Sequence, residues 1–115
     1  MADEQQKQQK IIEFQRGREQ LLSIGSRKQQ LQMQLAMVES ALNELKDSKQ
    51  DKVYKLVGNI LFEKNTKDAE KELKELKEQL ESKIDTMQKQ EDSLINRLNK
   101  LKSQIESAEP SEEST

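Results

Sequence analysis

The chain contains no cysteine and no histidine. Without cysteine there is no disulfide framework and no thiolate metal site, which fits a reducing compartment. Without histidine it lacks the commonest general base and the commonest metal ligand. Its three glycines never fall in a phosphate-cradling spacing, and nothing suggests a means of building a pocket. The expectation is a protein that is not an enzyme and uses no cofactor or metal. No apolar run approaches the roughly 20 residues that span a bilayer. The stretch MADEQQKQQK is polar throughout, unlike a secretory signal, so a soluble, cytoplasmic chain with no membrane partner is expected. A basic excess is missing too: 20 basic residues are interspersed with 22 acidic ones for a net charge of -2. Phosphate neutralisation needs clustered positive charge, so no nucleic-acid partner is expected.

Apolar residues are also scarce, at 31% against 37% charged, with a mean hydropathy of -1.06. Compact domains of this size approach half apolar. Two classes remain: a disordered chain, or long helices that bury one narrow seam. Periodicity favours the second. Phe14, Leu21, Ile24, Leu31, Leu35, Val38, Leu42 and Leu45 follow alternating steps of three and four, and the register skips only Gly17 and Lys28. In the second half Leu73, Leu76, Leu80, Ile84, Met87, Leu94, Leu98, Leu101, Ile105 and Ala108 do the same, interrupted by Glu91. This is the core pattern of a coiled coil. Two successive steps of four from Leu76 to Ile84 predict a stutter. The spacing predicts helices over 7–47 and 67–108, each about 60 Å long at 1.5 Å per residue. Asn65 or Thr66 is placed to cap the second, and Glu70 with Lys74 to pair on its surface. MADEQQ and the tail 109–115 are expected to be solvated and disordered, with Pro110 marking the helix end.

Between the arms lies VYKLVGNILFEK, residues 53–64, apolar and β-branched, with two of the three aromatics. Gly58-Asn59 between Val53–Val57 and Ile60–Lys64 suits a two-residue β-hairpin turn. A short connection makes the flanking arms antiparallel neighbours. The fold class expected is therefore mainly α, an antiparallel two-helix coiled coil with a central β-hairpin. A lone hairpin is marginal in water and has two unpaired edges. No other segment is placed to cover Val53, Tyr54, Leu56, Val57, Ile60, Leu61 and Phe62. Hairpins from several chains pairing edge to edge, into a larger sheet or barrel platform, would resolve the problem.

Coiled coil, hairpin and coiled coil in a chain of this size resemble the β-class subunits of the prefoldin family. The resemblance rests on VYKLVGNIL at Val53–Leu61 and on the Lys/Glu-rich second arm, KELKELKEQLESKIDTMQKQEDSLINRL. The α-class subunits of that family carry a second hairpin, and this chain has one. The GNIL turn is closest to archaeal members. The resemblance implies a hexamer of two α-class and four β-class subunits, joined by their hairpins into a β-barrel. It further implies capture of unfolded client proteins at the coiled-coil tips without ATP, and delivery to a group II chaperonin.

Candidate client-binding residues follow from the arm ends themselves. Ile11, Ile12 and Leu22 fall outside the seam, beside Phe14 and Leu21 within it, and antiparallel pairing brings Leu98, Leu101 and Ile105 alongside. Surplus apolar surface at an exposed end marks an interaction site. Gly17 and Gly25 each cost about 1 kcal/mol in a helix relative to alanine, which favours local opening there. Met33 and Met37 also lie off the seam. The Glu-rich arms offer weak, salt-sensitive contacts to basic client segments. The alternative is a structural adaptor that oligomerises through its hairpin and binds one fixed partner.

Overall fold

The computed structural model describes residues 2–108; the expected tail at 109–115 lies outside them. Four elements follow in order: helix α1 (Ala2–Asp47), strands β1 (Lys52–Val57) and β2 (Ile60–Asn65), and helix α2 (Thr66–Ala108). The chain forms two compact units. One, the hairpin unit, is Gln29–Asp85; the other, the chain-end unit, comprises the residues up to Lys28 and from Thr86 onward.

Helix α1 begins at Ala2, five residues before the boundary drawn from the apolar pattern. Gln, Lys and Glu are good helix formers even without an apolar face. Asp3 and Glu4 in the first turn complement the positive end of the helix dipole. Lys7 and Lys10 are half-buried and continue the seam register of Phe14 and Gly17. The helix ends where the Ser48 amide donates to Glu44 O at 3.0 Å, and the Gln50 amide then turns to Ser48 Oγ at 3.3 Å.

Helix α2 is started by Asn65, whose side-chain oxygen accepts from the Lys67 amide at 2.9 Å, an N-cap bond to the second helical residue. Thr66 instead ties the helix to the segment that follows α1. Its amide donates to Asp51 O at 2.8 Å and its hydroxyl to Gln50 O at 2.6 Å. The surface pair Glu70–Lys74 forms as the i,i+4 spacing predicts, at 3.5 Å.

In the hairpin unit the seam buries Leu31, Val38 and Leu42 of α1 and Leu80 of α2. The expected stutter is absent. Lys77, not Leu76, is half-buried between Leu73 and Leu80, so the three-four alternation runs unbroken. Leu76 is 41% exposed and belongs to a groove under the hairpin instead. A lysine tolerates the seam because its hydrocarbon stem is buried while the ammonium reaches water.

In the chain-end unit Gly17, Leu98 and Leu101 are buried, while Phe14, Leu21, Ile24, Met87, Leu94 and Ile105 are half-buried. Gly17 lies against Leu98 and Lys28 against Glu91. The α1 numbers rise as the α2 numbers fall, which makes the two helices antiparallel in this unit.

Candidate functional site

The hairpin is a two-stranded antiparallel sheet, one residue longer at each end than the apolar stretch suggests. Its register pairs Val57 with Ile60, Leu56 with Leu61, Lys55 with Phe62 and Tyr54 with Glu63. Gly58 has φ +60, and no non-glycine residue among those described has positive φ, so Asn59 does not. Glycine first with positive φ, followed by a residue with negative φ, is the type II′ arrangement, whose twist matches the strands.

Directly paired residues share a face. Tyr54, Leu56 and Leu61 therefore lie on one side, and Val53, Val57, Ile60 and Phe62 on the other. Apart from half-buried Val53, all of these stand more than half exposed, Tyr54 at 68%. Each strand also has one edge without a ladder partner among the described residues. Sheets with such edges and two apolar faces pair with other strands unless something blunts them.

The base of the hairpin is anchored. Val53 and Lys64 face a groove of about 500 Å3, walled by Leu45 of α1 and by Leu73 and Leu76 of α2. Glu72 on α2 accepts from Lys64 and lies 3.6 Å from the Lys55 ammonium. The Lys64 hydrogen bond, with help from the charges of Lys64 and Lys55, holds the Glu72 carboxyl below its ordinary value of 4.5. On the opposite face Lys52 meets Glu63 at 3.2 Å. Glu72 thus links both strands to α2, while the Lys52–Glu63 pair joins the strands to each other, and the apolar residues nearer the turn stay exposed.

The candidate client contacts divide by exposure. Ile12 and Leu22 project into solvent, Leu22 at 75% exposed. Ile11, Phe14, Leu21 and Ile105 are half-buried, whereas Leu98 and Leu101 are buried in the seam. Ile95, also exposed, was not picked out by the sequence; it follows seam residue Leu94, and only the register marks it as outward.

Lys28 and Glu91, the charged residues that interrupt the two apolar patterns in the chain-end unit, meet. Lys28 Nζ lies 2.7 Å from Glu91 Oε1 and donates to Gln88 Oε1 at 2.9 Å, with both charged side chains under one-fifth exposed. Gln88 in turn donates to Asp92 Oδ1 at 3.0 Å. A signal for the pair existed: Lys28 stands 30 residues before Gly58, and Glu91 stands 32 after Asn59.

Fold and site define a coiled-coil subunit with an uncovered β-hairpin between its arms. Over residues 8–109 the chain matches the model of the prefoldin subunit family. It is 41% identical over 96 residues to prefoldin subunit beta of Pyrobaculum neutrophilum, covering 83% of this chain and 76% of the relative. Against prefoldin subunit beta of Archaeoglobus fulgidus the identity is 39% over 93 residues, 80% of each chain. The crystal structure of the prefoldin beta subunit from Thermococcus strain KS-1 superposes with a TM-score of 0.83 at 33% identity, covering 90% of this chain and 91% of that one. The chain belongs to the prefoldin family, and these relatives are prefoldin beta subunits.

Proposed function

We propose that this chain is the β-class subunit of an ATP-independent holdase, four copies assembling with two α-class subunits through a shared β-barrel. Free coiled-coil ends would capture unfolded polypeptides in the cytoplasm and pass them to a group II chaperonin. The observation that carries the reading is the hairpin. Tyr54, Leu56, Val57, Ile60, Leu61 and Phe62 are exposed beside two open strand edges. Burying such side chains is worth about 1.5–3 kcal/mol each, so partner strands have a large driving force. Ile12 and Leu22 supply exposed apolar contacts for clients that lack fixed structure.

The test is suppression of aggregation of several unrelated unfolded proteins by the complex with an α-class subunit. Ile12→Ser with Leu22→Ser should leave assembly intact and weaken holding for all of them. Full holding by this variant would remove the assigned client contacts. Tight binding of one folded protein, with no effect on unfolded ones, would favour the adaptor. Delivery is checked by following a labelled client from the complex to an added chaperonin.

A further inference from the structure

The apolar residues of the chain-end unit leave its arginines unexplained. All four arginines of the chain, Arg16, Arg18, Arg27 and Arg97, lie in this unit. Counted through Thr115 the unit holds ten basic and ten acidic side chains, so it is neutral as a whole, and what sets it apart is where its arginines lie. Arg16 of α1 and Arg97 of α2 line one crevice of about 210 Å3. Half-buried Leu94 and the edges of buried Leu98 and Leu101, beside Gly17, form the apolar part of a lining that is otherwise polar. A Cβ at position 17 would come within 2.5 Å of Leu98 Cδ2, so glycine is what lets this wall close up. Glu13 is the one carboxylate on the lining, and neither arginine pairs with it or with any other carboxylate among the described residues. Arg97 also borders a more open groove of about 630 Å3 that adds Lys89.

Unpaired guanidiniums beside an apolar wall have a definite complement. Guanidinium is planar, weakly hydrated and shaped to hold a carboxylate with two parallel hydrogen bonds. An apolar neighbour on the same strand of ligand would settle against Leu94, the partly exposed leucine of the lining. We propose that this crevice selects acidic segments of unfolded polypeptide, an aspartate or glutamate meeting Arg16 and Arg97 with an adjacent apolar side chain against the wall. The proposal rests on the chaperone reading and narrows its substrate class. For this unit it reverses the expectation, drawn from the Glu-rich arms, of basic client segments.

The test uses the assembled complex with its α-class partner and two fluorescent Gly/Ser peptides. One carries a leucine-aspartate-aspartate-leucine core and the other a leucine-lysine-lysine-leucine core. The acidic peptide should bind about tenfold more tightly near 0.1 M salt, the size expected of two partly screened contacts. The preference should vanish near 1 M salt, where the screening length falls to about 3 Å. It should also vanish in R16Q/R97Q, which changes two exposed side chains and should assemble normally, and be weaker but present in R16K/R97K, which keeps the charges without the planar fork. Equal binding of the two peptides to the parent complex, or an undiminished preference in R16Q/R97Q, overturns the proposal. Acidic-peptide binding that appears only after removal of residues 109–115 assigns the crevice to the chain's own Glu-rich end and also overturns it. A complex that suppresses aggregation yet binds neither peptide rejects the crevice and spares the chaperone reading. One that suppresses no aggregation rejects the chaperone reading itself.

Discussion

Lys28 and Glu91, each a charged interruption of its own helix's apolar seam, form an ion pair at 2.7 Å. Polar residues at core coiled-coil positions specify register at a cost in stability. Removing either partner leaves the other charge in a largely covered site, at a cost of about 1–3 kcal/mol. Lys28→Met and Glu91→Gln are therefore expected to lower the melting temperature of the assembled protein. The swap K28E/E91K should recover most of the loss, and replacing both by leucine should match or exceed the parent. Thermal melts at fixed subunit concentration read all of these. Simply additive costs in the swap would mean that the two side chains are not coupled.

The two glycines of α1 should behave oppositely. At Gly25 the nearest atom to an added Cβ is Glu91 Oε2 at 3.5 Å, an ordinary contact. Gly25→Ala should then stabilise by up to about 1 kcal/mol through helix propensity alone. At Gly17 the same change meets Leu98 at 2.5 Å. Overpacking costs about 1–3 kcal/mol, so Gly17→Ala should gain nothing and Gly17→Val should lose stability. Melting temperatures decide it, and equal gains for the two alanine variants would contradict the close approach.

The hairpin anchor should respond to acid. Glu72 is held below 4.5 in the folded chain by Lys64 and then Lys55. A carboxylate with a depressed folded value contributes stability above its unfolded value and loses it as pH falls through the folded one. The contribution should therefore be complete at neutral pH and decline only below about 4.5. Glu72→Gln should remove that component of the acid dependence. Amide exchange of residues 52–57, measured at pH 7 and pH 3.5, should show acid-induced loosening in the parent and a smaller change in the variant. An identical acid response in both would show that Glu72 does not anchor the strands.

The turn gives a separate prediction. Gly58 has φ +60 and open space around the position of a Cβ, so any substitution penalty is backbone strain alone. Gly58→Ala should cost about 1–2 kcal/mol and reduce hairpin protection in amide exchange. A D-alanine at the same place, introduced by peptide ligation, should retain it.

Much of this was legible from local pattern. Gly58-Asn59 between β-branched runs located the hairpin, and Asn65 and the Glu70–Lys74 spacing set the start of α2. What escaped depends on neighbours distant in sequence. Leu76 looked like a seam residue because it is leucine. The hairpin groove takes it, and Lys77 fills the seam with its stem. Gly17 looked like a weak point because propensity is a local quantity, whereas its role is contact with Leu98, 81 positions away. Lys28 and Glu91 were each visible as interruptions, but pairing them requires aligning one arm against the other.

The central claim is that the apolar hairpin is completed by strands from other subunits, and native mass measurement tests it most directly. The 13.4 kDa chain mixed with an α-class subunit should give a six-subunit species. L56S/L61S, altering a facing pair of exposed leucines, should fail to form it while keeping its helical content. A parent chain that stays monomeric with its partner present, or an assembly indifferent to those two leucines, would contradict the account.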